Sequence, residues 1–159
     1  MPVGQISAYV EDAMGGAAYF IDYLARMGVR PLALQLNREG SCSTARFLAP
    51  HPERVADGLR QRGMASLVTD ALALCGGMEE VCAALRVLNS EEMDVQYLYQ
   101  AALPEGNCTV LCLASPDRAE GLLVARGYAL WTQKRVNEYA GERTDGGHGF
   151  GSAQRPARS

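Results

Sequence analysis

The chain has 159 residues, 48% of them hydrophobic and 21% charged, which is the composition of one ordinary globular domain or of two small ones sharing a core. Fifteen Lys and Arg against 18 Asp and Glu leave a formal charge of −3, which excludes a broad basic footprint for nucleic acid or an anionic membrane. No apolar run approaches the roughly 20 residues that span a bilayer, and the opening "MPVGQISAYVED" lacks the basic-then-apolar pattern of a secretory leader, so a cytoplasmic location is expected.

In chain order, "QISAYVED" places Ile6, Ala8 and Val10 on one face and reads as a strand. After Gly15 and Gly16, the residues Ala17, Phe20, Ile21, Leu24 and Met27 fall at helical spacing, and Gly28 stops the helix. "RPLALQLN", the turn "REGSC" and "TARFLA" predict a hairpin of two strands. Pro52 then suits the first helical position, with Glu53 beside it to favour the helix dipole. Val55 and Leu59 form the buried stripe, Gly63 ends the helix, and "MASLVTD" is a fourth strand.

The next stretch repeats this order. Pro116, Arg118, Leu123, Arg126 and Gly127 match Pro52, Arg54, Leu59, Arg62 and Gly63, and Gly127 lies 64 positions after Gly63. Gly76 and Gly77 match Gly15 and Gly16 at the shorter shift of 61, so about three extra residues fall near Asn89 to Glu91. The second copy reads as strand "ALALC", a helix carrying Val81, Leu85 and Leu88, strand "VQYLYQAAL", turn "PEGN", strand "CTVLCLA", a helix capped by Ser115, and strand "ALWTQ". A repeat of this length predicts a duplicated domain rather than a solenoid. The expected fold class is α+β, two tandem ferredoxin-like βαββαβ units with antiparallel sheets, spanning 1–66 and 67–136. A lone unit of about 65 residues buries little apolar surface, which explains fusing two. From Asn137 the sequence turns polar and Gly-rich, and 137–159 is read as a disordered tail.

Candidate chemistry concentrates in "VEDAMGGAAYF". An acidic residue, paired glycines and a helix start suit a small zwitterion: helix amides attract a carboxylate, glycines let it approach, and Asp12 can meet an ammonium. The alternative is that Asp12 caps the helix and the glycines make the turn. This is not GxGxxG, so dinucleotide binding is unsupported. The five cysteines, Cys42, Cys75, Cys82, Cys108 and Cys112, contain no CxxC, and only His51 and His148 could join them in a metal site. Cys108 and Cys112 are read as small buried hydrophobes. Cys75, before a helix start, is the candidate nucleophile of an enzyme reading, but it lacks a histidine base. An RNA-binding sheet would need more than the one Phe and one Arg of the central strands. Tyr97 and Tyr99 share a strand face and are read as core, while Tyr19 and Tyr23 lie four apart on the first helix.

The tandem units, "QISAYVED" leading into a Gly-bearing helix start, "DVQYLYQAA" and "SPDRAEGLL" resemble the ACT domain family, in particular short proteins made of two ACT domains, over roughly Gln5 to Arg135. The resemblance implies a non-catalytic regulator that binds an amino acid or similar small molecule at an interface between units, with no cofactor and no metal. It further implies a homodimer acting on a metabolic enzyme, with neither nucleic acid nor membrane as partner. Carried onto this chain, the ligand residues are Asp12, Met14, Gly15 and Gly16, with Met14 standing where the family usually has Pro. The second copy keeps Gly76 and Gly77 but has no counterpart of Asp12. The competing reading is a module that has lost its ligand and serves dimerisation or partner contact.

Overall fold

Strands and helices follow the expected βαββαβ order through the first unit, and the second repeats its middle, αββα. The computed structural model describes residues 2–103 and 106–145. Its elements are β1 (Val3–Glu11), a single 3-10 turn (Asp12–Met14), α1 (Gly16–Arg26), β2 (Ala33–Glu39), β3 (Cys42–Leu48), α2 (Pro52–Gln61) and β4 (Ser66–Cys75). The second half comprises α3 (Met78–Ser90), β5 (Val95–Leu103), β6 (Gly106–Leu113), α4 (Pro116–Ala125) and α5 (Gln133–Asp145). Six strands pair antiparallel in the order β2-β3-β1-β4-β6-β5, as two sheets continuous through β4. The fold is α+β, with two ferredoxin-like units in tandem.

The join between the units differs from the sequence expectation. "MASLVTD" and "ALALC" are not two strands but one, β4. Its first part pairs with β1, Val3 opposite Ala71 and Ala8 opposite Ser66. Its last four residues pair with β6, Leu72 opposite Leu111 and Cys75 opposite Cys108. One strand therefore closes the first unit and opens the second, and no linker lies at the 66/67 boundary. The strand expected at "ALWTQ" is reduced to a bridge of Leu130 to Leu74, flanked by the bonds from Cys75 N–H to Ala129 O and from Trp131 N–H to Ala73 O.

Burial sorts into three cores because each strand alternates its side chains between two faces. Ile6, Ala8 and Val10 of β1 meet Phe20 and Leu24 of α1 and Leu59 of α2. Leu72 and Leu74 of β4 meet Val81 and Leu88 of α3 and Leu123 of α4. The helix-free faces pack on each other: Val3, Ala33 and Leu48 from the first unit share a core with Tyr99, Val110 and Cys112 from the second. Gln5, only 1% exposed, stands in this sheet-on-sheet contact. Its Nε2 donates to the Tyr97 hydroxyl at 2.8 Å, and its Oε1 accepts from the Tyr99 hydroxyl at 2.7 Å and from Cys112 Sγ at 3.2 Å.

The expected tail begins as structure. Residues 137–145, read as disordered, continue α5, and Val136 and Tyr139 are buried against Trp131 in the third core; 146–159 lie outside the described residues. Helix α5 also reaches the first unit. Gln133 Oε1 accepts from Gly4 N–H at 2.9 Å and Asn137 Oδ1 from His51 N–H at 3.0 Å, while Gln133 Nε2 donates to Ala49 O at 3.3 Å. The Ser115 hydroxyl, expected as a cap, makes no capping bond at α4.

The extra residues of the second copy lengthen its first helix to 13 residues in α3 from 11 in α1. Past the helix ends the two copies keep the same left-handed turn, with Gly28 at φ 73° in one and Glu92 at φ 56° in the other. A side chain in this region costs about 1 kcal/mol or more. Glu92→Gly is therefore expected to stabilise the fold by about 1 kcal/mol, seen as a higher urea midpoint at unchanged slope. Gln5→Leu is expected to cost about 2 kcal/mol by leaving buried hydroxyls unpaired, and adding Tyr99→Phe should recover part of that loss in the same titration.

Candidate functional site

The residues singled out by sequence gather where β1 runs into α1. Asp12 opens the 3-10 turn, Met14 closes it, and Gly15 and Gly16 follow with φ of 100° and 67°. Two consecutive left-handed residues turn the chain sharply into the helix. A Cβ on Gly15 would meet Tyr19 Cβ at 2.8 Å, so the position requires glycine on both counts. The turn is tied to the β2–β3 hairpin through Asp12 N–H, which donates to Ser41 O at 3.0 Å.

Asp12 does not cap α1. Its carboxylate takes both arms of Arg38 from β2, Nη2 to Oδ2 at 2.7 Å and Nη1 to Oδ1 at 3.3 Å. The partner was not visible in the sequence, because Arg38 lies 26 positions away on another element. Both side chains are well exposed, at 37% for Asp12 and 66% for Arg38. Such a pair contributes about 0.2–1 kcal/mol, little enough for a competing ion to exchange with it. No side chain caps α1 among the described residues.

The equivalent loop of the second copy is closed. There Gly76 takes φ 114°, and Glu80 reaches back so that its Oε2 accepts from Gly77 N–H at 2.9 Å. At the 61-residue shift Glu80 stands where the first copy has Tyr19. The second helix start thus carries its own carboxylate, whereas the first leaves its amides to solvent. This difference was legible at the Asp12 position but missed at Glu80, whose spacing three residues after Gly77 is the signal of a reciprocal cap.

Other candidate groups are spent structurally. Tyr99 is buried and Tyr97 half-buried in the contact between sheets. Tyr19 and Tyr23 stack at 6.4 Å on α1, and Arg62 lies 5.1 Å over the Tyr23 ring. A groove of about 430 Å³ lined by Ile21, Leu24, Ala25, Val29, Arg30 and Pro31 lies at the far end of α1 from the loop. All five cysteines are free thiols. Burial raises Cys75 above its ordinary range against the opposing field of Arg135, and burial pushes Cys108 up to about 12. Neither is an activated nucleophile. His51 occupies the residue before α2 at φ 49°, and His148 lies outside the described residues. No cluster of three or more His, Cys, Asp or Glu suited to a metal occurs among the described residues, and none of their helices is long and apolar enough to cross a membrane.

No protein-family model matches the chain, and no curated protein matches its sequence. Among solved structures, a Bacteroides thetaiotaomicron protein, BT0572, is similar with a TM-score of 0.76 and 18% identity, over 87% of this chain and 97% of its own. The regulatory subunit of aspartate kinase from Thermus thermophilus, in a ligand-free form, is similar with a TM-score of 0.52 and 18% identity, over 79% of this chain and 91% of its own. With the order of the elements, these likenesses define an ACT-like fold.

The thiol environment has a consequence for alkaline stability. Cys108 keeps its proton in the folded chain up to about 12, against an ordinary 9.0. The unfolded chain therefore releases that proton first, and stability present below pH 9 falls as pH rises toward 12. A single such group contributes a decline of up to about 1.4 kcal/mol per pH unit. Urea titrations between pH 8 and 11 should show this fall, and Cys108→Ala should make it shallower.

Proposed function

We propose that the chain is a non-catalytic regulatory module of the cytoplasm that binds an amino acid at Asp12, Met14, Gly15 and Gly16. The observation that carries this reading is the asymmetry of the two helix starts: α3 is occupied by Glu80, while α1 is uncapped beside an exposed Asp12–Arg38 pair. A zwitterion complements that arrangement. Its ammonium joins the Asp12 carboxylate, and its carboxylate takes the α1 amides and the guanidinium of Arg38. The exposed loop is then covered by a second copy of the chain, so that occupancy reads out through a homodimer to a partner enzyme.

A second reading has one observation in its favour. Asp12 is already neutralised by Arg38 without any ligand, as in a module that keeps the fold for dimerisation or partner contact alone.

Calorimetry against the twenty amino acids separates the two. Under the first reading one amino acid or a small group binds, and Asp12→Ala weakens it about tenfold to a hundredfold by loss of a charged hydrogen bond. Glu80→Ala leaves that affinity unchanged. Unaltered affinity in Asp12→Ala rejects the loop site. No heat from any amino acid, with a dimer in light scattering, supports the second reading.

A further inference from the structure

The second sheet covers only part of the helix-free face of the first. At the covered end lie Val3, Ala33 and Leu48, all buried. Further along the same face Tyr9 and Leu67 are each 41% exposed. Arg46 of β3 stands at the corner between the covered and open parts. The strand register sets Ser7 of β1 directly opposite it on one side and Gln35 of β2 on the other, so all three side chains leave the sheet on one face. Across the corner is Tyr97 of β5, with the Arg46 guanidinium carbon 4.5 Å from its ring centroid.

Three polar side chains at this corner make no hydrogen bond or ion pair with the described protein. No carboxylate pairs with the half-buried Arg46 among the described residues. Glu11 and Glu39, the acids in register on this face, lie opposite Cys42, four residues along the strand from Arg46 and so about 13 Å away. Ser7 is 6% exposed and its hydroxyl donates to no group of the described protein. Gln35 Oε1 is buried with no hydrogen-bond partner. Neighbouring Gln5, by contrast, is hydrogen-bonded at both ends of its amide. Of the three groups Gln35 Oε1 is the atom both buried and unpaired; buried polar atoms are rarely left so, and one beside a cation without a counter-ion points to a ligand.

We propose that Arg46, Ser7 and Gln35 form a binding site for a small carboxylate in the corner between the two sheets. The planar guanidinium, its carbon 4.5 Å from the Tyr97 ring centroid, presents paired N–H donors in the geometry that a carboxylate fits. Ser7 adds a hydroxyl donor from the floor. Gln35 turns its amide N–H groups toward the same anion, since either end of a terminal amide can face a partner. The site is on the sheet face opposite α1 and α2, and it does not depend on the loop at Asp12.

The test follows the side-chain signals of Arg46 Nε–H and the Gln35 amide by NMR during titration with acetate and with succinate, using acetamide as the neutral counterpart and sodium chloride as the ionic control. Saturable shifts of both signals with a carboxylate, and none with acetamide or chloride, are expected. Arg46→Met keeps the aliphatic packing on Tyr97 and should abolish saturation. Arg46→Lys should weaken it at least tenfold, Ser7→Ala a few-fold, and Asp12→Ala not at all. Linear drifts that match sodium chloride mean that water alone fills the corner and overturn the proposal, as does saturation that survives Arg46→Met. Should Arg46→Met fail to fold, Arg46→Lys and Ser7→Ala decide the matter by the same readout.

Discussion

A ten-residue strand that belongs to both units constrains everything else in this chain. Because β4 passes from its pairing with β1 to its pairing with β6 without a turn, the two sheets cannot part. Their helix-covered faces point outward, and their bare faces are left to satisfy one another. The contact between them is therefore a folding requirement, and its polar centre at Gln5 must be satisfied within a low-dielectric layer where an unmade hydrogen bond is costly. A unit whose apolar surface is too small to stand alone gains a second face to bury by this route.

Repetition was the most legible property of the sequence, and it survives in the structure as α2 and α4, both opening on a proline and both lying beneath their own half of the sheet. The departures share one physical cause: local pattern does not encode pairing. "MASLVTDALALC" carries no sign that its two halves form a single strand, because a strand's continuity depends on which neighbours sit beside it. "ALWTQ" has strand composition but shares a single bridge. The helix past Asn137 is weakly patterned, and tertiary contacts through Val136 and Tyr139 hold it, so propensity alone read it as tail. Tyr97 and Tyr99, read together as core, divide into a half-buried ring under Arg46 and a buried one bonded to Gln5.

At the loop, residue types were readable and their partners were not. Acid, glycines and helix start are contiguous, so their juxtaposition needs no fold to reveal it. Arg38 comes from the next strand hairpin, and only the sheet brings it to Asp12. The second loop shows how duplication divides labour. A change from Tyr19 to Glu80 at one repeat position converts a helix start that faces solvent into one satisfied from within, while the fold around it is retained.

Helix α5 holds the first unit by Gly4 N–H, Ala49 O and His51 N–H, which are main-chain groups that every residue but proline supplies in full. The clasp is consequently blind to most sequence drift on the surface it grips. Gln133 and Asn137 supply the side-chain atoms of these three bonds, so the heritable adjustment of this clasp rests on two codons near the end of the described fold.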